Sequence, residues 1–365
     1  MVPARFLAAI ALPLAVTSSM PERTNGAVER LEAATPVAGL LRVFVSGHSL
    51  TDHPFPDYLS AIGGGEARAE WNMQHLFGSS IRDRSKGQAG DGFRSGVDRY
   101  GQRIDVLREF ETAVPAYDTL VLAERHTLLD SLVWEDTIGS VLDYEARFHL
   151  ASPGGRAFLL SSWLDLDQRD DPSRWIHYEQ RAAGAWRCTA SQINRSLASQ
   201  GAERRVTLIP VAEGLAALVA AGVSGGLPPF RNGDASGIVE TLFADQVHLT
   251  PAGSYYAALL AYGVMHRELP PQIPVPGEIE SRVGQALQHF ARGFLDGLSR
   301  SGVERSEAQC RAYVAGFVPL YLAYVRDVRW RGGPLKRTLQ WARLRVTWPL
   351  LFGLRSSANP LRVRP

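Results

Sequence analysis

A chain of 365 residues exceeds the usual single-domain size, so one α/β core of roughly 200 to 250 residues carrying an appendage is the natural expectation. Its hydrophobic content of 45%, charged content of 21% and formal net charge of +2 describe an ordinary globular protein, which excludes a disordered or membrane-spanning chain, and nothing in them demands a nucleic-acid partner. The glycines and prolines are scattered and form no repeat or low-complexity tract.

The chain opens with Arg5, an apolar run from Phe6 to Val16, and then small and polar residues. That is the layout of a secretory signal, so residues 1–25 are read as one and a secreted or periplasmic location is expected. The run is shorter than the roughly 20 residues a spanning helix needs, and Pro13 interrupts it, which disfavours a permanent anchor. A plain N-terminal helix or an uncleaved anchor is the alternative.

Residues Leu41–Ser46 form a short β-branched and apolar run closed by Gly47, suited to a buried strand that ends in a tight turn. Similar runs follow at Ala69–Leu76, Thr119–Ala123, Ala157–Ser161 and Arg205–Pro210. Tyr58–Ile62, Val97–Phe110, Trp175–Leu197 and Ala212–Ala221 are the helices predicted between them. Strands alternating with helices imply a mainly parallel sheet covered on both faces, a three-layer α/β/α flavodoxin-like domain at residues 41–269. Around Leu269 the proline-rich PPQIPVPGE prevents regular structure and reads as a linker. Helical periodicity resumes at Ile279–Leu298 and Ser306–Tyr324, so residues 277–365 are expected to be a helical, basic C-terminal appendage. Its last part, Tyr324–Pro365, holds ten Lys or Arg against one acid, Asp327, with Trp330, Trp341 and Trp348 interleaved. A solvated, loosely ordered tail is the plainer reading of that stretch, and contact with an anionic membrane surface the other. Cys188 and Cys310 are the only cysteines; they suit either one disulfide in an oxidising compartment or two unrelated buried thiols, and spacing does not decide between them.

A serine is a poor nucleophile at neutral pH unless its hydroxyl is exposed and a histidine can take its proton. Gly47-His48-Ser49-Leu50 presents Ser49 at the carboxyl end of the first strand, where α/β proteins place ligands. Alone, such a serine more often caps the next helix. The second element is Asp245-Gln246-Val247-His248-Leu249-Thr250-Pro251. Thr250 suits an N-cap and Pro251 the first helical turn, so His248 sits on a loop just before a helix through Ala252–Met265. Asp245, three residues earlier, can bind one imidazole nitrogen and leave the other facing Ser49, fixing the tautomer needed for acyl transfer.

Together the two elements resemble the SGNH or GDSL hydrolase family, whose first block is Gly-Asp-Ser-Leu and whose last is Asp-x-x-His before a helix. The resemblance runs from about Leu41 to Met265, with His48 in place of the family aspartate. It implies a serine esterase with Ser49 as nucleophile, His248 as base and Asp245 as orienting acid, working without cofactor or metal. The family also completes its oxyanion hole, beside the serine amide, with a glycine amide and an asparagine. Gly78, in Leu76-Phe77-Gly78-Ser79-Ser80, is the glycine candidate, with Gly90 and Gly92 as alternatives. Where the family has Gly-x-Asn-Asp, this chain has Glu124-Arg125-His126-Thr127 after the third strand; the asparagine is absent, and His126 stands near its position as a ring-nitrogen donor. The expected oxyanion hole is therefore Ser49, Gly78 and His126.

The expected partner is a small-molecule or carbohydrate ester, such as one carrying an acetyl group. A polysaccharide O-acyltransferase and a catalytically inactive carbohydrate-binding member of the same fold are the alternatives. A pH profile bounded by His126 and His248 titrating together is expected if His126 donates as imidazolium. Every candidate lies before residue 270, so the basic C-terminal end is expected to be dispensable for chemistry. Asp165, Asp167, Asp170 and Asp171 read as a solvated acidic loop rather than a cation site. Trp71-Asn72-Met73-Gln74-His75 suits a sugar-stacking wall or a core edge equally.

Overall fold

The apolar runs pair into one all-parallel sheet: β1 (Leu41–Gly47), β2 (Ala69–His75), β3 (Thr119–Ala123), β4 (Arg156–Leu160) and β5 (Val206–Ile209), in the order β2-β1-β3-β4-β5. The computed structural model describes residues 41–87, 90–228, 235–300 and 305–363; the segment read as an export signal lies outside them. Every residue of β1 and β3 is buried, because a parallel sheet is covered on both faces and leaves no side for polar residues.

Twelve α-helices occur among the described residues: α1 (Phe55–Ile62), α2 (Ile81–Ser85), α3 (Val106–Thr112), α4 (Leu128–Trp134), α5 (Thr137–Ala151), α6 (Ser173–Ser199), α7 (Val211–Val223), α8 (Ala235–Leu242), α9 (Pro251–His266), α10 (Ser281–Arg300), α11 (Glu307–Val328) and α12 (Pro334–Gly353). Helix α9 packs against α1, α7, α8 and α10, and α5 against α2, α3, α4 and α6, with α6 also lying against α7. An all-parallel sheet flanked by these helices is consistent with the expected three-layer α/β/α arrangement. β1 connects to β2 on one side and neighbours β3 on the other, so the strand order reverses between β1 and β3. Crevices form at such a switch point, beyond the carboxyl ends of the strands.

The chain differs from expectation in several parts, α2 and α8 among them, which occupy stretches left without helical assignment. Helix α3 begins only at Val106, because Val97 instead bridges His75 and Arg103, and the Asp98 carboxylate captures the amides of Tyr100 and Gln102 at 2.9 and 2.8 Å. A side chain that binds nearby backbone in this way competes with helix formation. Helices α4 and α5 fill a stretch left without helical assignment; Asp136, accepting from Gly139 N at 3.3 Å, starts α5. The basic end is no loose tail, since α12 forms there and buries Leu344, Trp348 and Phe352.

Helix α11 is likewise part of the structure rather than an excursion from it. A disulfide joins Cys188 of α6 to Cys310 of α11, Tyr178 stacks on Tyr324 with ring centroids 4.5 Å apart, and Val314, Phe317, Val318, Tyr321 and Val325 are all buried. Removing everything after residue 270 would strip α6 of that apolar cover, so the C-terminal segment has a structural role whatever its part in chemistry.

Candidate active site

Ser49 lies in the turn that follows β1, at the β1/β3 switch point. Thr51 closes this turn, its amide and hydroxyl both donating to the His48 carbonyl at 2.8 and 3.2 Å. Gly47 is required by close approach: a Cβ there would lie 1.8 Å from Thr51 Oγ1. The turn leaves Ser49 partly exposed while His48 and Leu50 are buried.

The loop between α8 and α9 brings the second element to the same place. His248 Nε2 stands 3.1 Å from Ser49 Oγ, and its Nδ1 stands 2.7 Å from Asp245 Oδ2. The other carboxylate oxygen of Asp245 accepts from the amides of Val247 and His248, each at 2.7 Å. Burial by itself would raise the Asp245 pKa, but the His248 side chain and these two amides hold it below the ordinary carboxylate value. Asp245 is therefore an anion that obliges Nδ1 to carry the proton and leaves Nε2 to accept one from the serine.

The β4–α6 connection grips this loop. Trp163 Nε1 donates to Val247 O and Leu166 N to Gln246 O, both at 2.7 Å, while Arg169 reaches Asp245 O at 2.6 Å and Phe243 O at 2.9 Å. Glu179 of α6 anchors the connection in turn, accepting from Leu164 N at 2.7 Å. Burial raises its pKa from 4.5 to about 8. A folded-state pKa above the unfolded one means that the contribution is whole below the unfolded value and is lost as pH rises through about 8. Glu179→Gln keeps the acceptor oxygen and removes the titration. At pH near 9 the variant is expected to be more stable than the parent by about 2 kcal/mol or more, with little gap at acid pH. Urea midpoints at the two pH values check this; a gap independent of pH would show that Glu179 carries no proton.

The remaining oxyanion candidates come from the ends of β2 and β3. Gly78 sits in the exposed turn after β2 with φ of +63°, and its amide meets no hydrogen-bond partner among the described residues. Leu76 N donates to Gly47 O at 3.1 Å, so this turn and the serine turn are adjacent. His126 follows β3, with its ring centroid 6.4 Å from that of His48, and neither of its ring nitrogens finds a partner among the described residues. Burial, reinforced by Arg329, His48, Arg125 and His248, pushes its pKa well below the ordinary histidine value. Burial therefore favours the neutral ring of His126, which speaks against the expected imidazolium donor.

His48, beside Ser49 in the same turn, is a strut. Its Nε2 faces the Glu124 carbonyl at 3.1 Å and its Nδ1 faces the Leu50 amide at 3.4 Å, which fixes the Nε2–H tautomer. Burial, with Arg84 adding to it, lowers its pKa to about 3, so the ring stays neutral.

Beneath the three turns lies a polar network that the sequence did not disclose. Arg84 is fully buried and donates to Ser46 Oγ at 2.9 Å, to Ser79 O and Oγ at 3.1 and 2.6 Å, and to Ala123 O. Glu124 accepts from the amides of Ile81 and Arg125 at 3.2 and 2.7 Å. Gln74 joins Ser46 and Tyr144 at 3.0 and 2.9 Å. Nothing in the spacing of Arg82-Asp83-Arg84 marks Arg84 as the buried member. The C-terminal segment also contributes, through Arg329, which binds both oxygens of Asp165 at 2.9 and 3.1 Å in the connection that holds the histidine loop.

Asp165 is thus ion-paired, and Asp167 pairs with Arg174 at 2.9 Å, so these two are not solvated as expected; Asp170 and Asp171 are not buried. Trp71 is 2% exposed, covered by the His53 ring and the Arg99 guanidinium, and so belongs to the core edge rather than to a sugar-stacking wall.

No protein-family model matches this chain, and no curated protein matches it in sequence. Among solved structures, a DUF4886 family protein from Bacteroides uniformis ATCC 8492 is similar at 13% identity with a TM-score of 0.46, over 73% of this chain and 98% of that one.

Proposed function

We propose that the chain is a serine esterase of the SGNH type. The observation that carries this reading is the relay Ser49 Oγ–His248 Nε2 at 3.1 Å and His248 Nδ1–Asp245 Oδ2 at 2.7 Å, standing at the switch point of a parallel sheet. In the proposed reaction Ser49 Oγ attacks an ester carbonyl as its proton passes to His248 Nε2, and Asp245 stabilises the imidazolium that results. The oxyanion is met by the Ser49 and Gly78 amides and by an N–H of His126. Collapse expels the alcohol, which takes the proton from His248. Water, deprotonated in turn by His248, then releases the acid and restores Ser49. The Cys188–Cys310 disulfide supports the proposal of a secreted or periplasmic setting.

The test is turnover of p-nitrophenyl esters of short and long chain and of an acetylated oligosaccharide, with and without a sugar acceptor. Free acid released without acceptor supports the esterase. Product formed only with acceptor indicates the transferase, and sugar binding without turnover indicates a binding protein that has lost its chemistry.

A neutral His126 makes a further result specific. His126→Ala is expected to lower kcat by about 10² or more, whereas His126→Asn, which still offers an N–H, is expected to stay active. Because burial depresses its pKa, His126 gains no charge near neutrality, so the parent's pH–rate profile is expected to show no alkaline fall from His126. Equal activity of the alanine and asparagine variants would leave the oxyanion to backbone amides alone.

A further inference from the structure

Helix α12 has two apolar faces, and the fold uses one. Leu344, Trp348 and Phe352 are buried, and α12 packs against α11. Leu335, Leu339, Val346 and Leu350 are 73, 63, 64 and 68% exposed, and with exposed Ala342 they recur at three- and four-residue steps. At about 100° per residue those five positions fall within one narrow stripe, on the side opposite the buried face.

The flanks of the stripe are cationic. Lys336 and Arg343 lie along one side and Arg345 along the other, all exposed. No Asp or Glu occurs in α12, nor anywhere after Asp327. Among the described residues no helix is long and apolar enough to cross a membrane, so a stripe this narrow suits the plane of an interface rather than a span.

We infer that α12 docks the protein onto an anionic lipid bilayer, with Leu335, Leu339, Val346 and Leu350 entering the headgroup boundary and Lys336, Arg343 and Arg345 meeting lipid phosphates. A protein partner would have to supply both an apolar groove and acidic rims; an anionic bilayer offers both over its whole surface. The docking is independent of the chemistry at Ser49.

Flotation of the full chain with vesicles of phosphatidylcholine, and with vesicles in which a third of the lipid is phosphatidylglycerol, tests this. Binding is expected only to the anionic vesicles and is expected to weaken with added salt. Arg343→Glu/Arg345→Glu is expected to reduce the partition coefficient by about tenfold or more. Leu339→Ser/Val346→Ser, on an exposed face and so not required for folding, is expected to reduce it similarly, with unchanged circular dichroism. No binding to anionic vesicles overturns the inference. So does binding that survives both double variants, which would place the contact elsewhere in the chain. A dimer detected by light scattering that Leu339→Ser/Val346→Ser dissolves, without vesicle binding, would assign the stripe to a second copy instead.

Discussion

Ser49→Ala is expected to lower kcat for ester hydrolysis by about 10⁴-fold or more, with no loss of stability. The Ser49 side chain is partly exposed and its hydroxyl faces His248 Nε2, so removing it takes away the nucleophile and that hydrogen bond. His248→Ala is expected to match it, and the double variant to be no worse than either, because residues acting in one step lose their effect together. An additive loss would mean that the two work in different steps. Asp245→Asn is expected to fall short of both: the side-chain amide keeps an acceptor for the Val247 and His248 amides but no longer stabilises the imidazolium. Rates with a p-nitrophenyl ester, alongside thermal melts, separate lost chemistry from lost fold.

Opening the disulfide carries the largest expected cost to stability. Cys188 and Cys310 are separated by 122 residues, and a cross-link closing so long a loop restricts the unfolded chain by about 4 to 5 kcal/mol. The bond also joins α6, which carries Glu179, to α11, which ends beside Arg329, and both residues hold the connection that grips the histidine loop. Cys188→Ala/Cys310→Ala is therefore expected to lower unfolding stability by several kcal/mol in urea titrations and to lower activity at temperatures where the parent is unaffected. Reductant is expected to act on the parent in the same way and not on the variant. A stability loss under about 1 kcal/mol would mean that α11 stays on α6 through packing alone.

Much of this architecture was legible because its strands are short apolar runs with turn residues at their ends. All five lie within a residue or two of their expected bounds, and parallel pairing follows from the helices between them. The serine turn and the Asp245–His248 loop were legible for a different reason: each is local, with Gly47, Thr250 and Pro251 setting backbone geometry over a few residues. What escaped is non-local. Arg84 reads like Arg82 until the fold surrounds it with Ser46, Ser79 and Ala123, residues that only the parallel register of β1, β2 and β3 draws together. Arg329 is one of ten basic residues near the end of the chain, and its pairing with Asp165 spans 164 positions. His126 shows the same limit in its charge. Its place after β3 was readable, whereas its neutrality depends on burial and on cations delivered by distant segments.

The central claim is that Ser49 is a nucleophile activated by His248. A fluorophosphonate probe forms a covalent adduct only with a serine whose proton a neighbouring base removes. Incubation of the full chain with such a probe, followed by proteolysis and mass spectrometry, is expected to place one adduct on the peptide containing Ser49, and none in Ser49→Ala or His248→Ala. An unlabelled parent protein, or an adduct on any serine other than Ser49, would contradict the account.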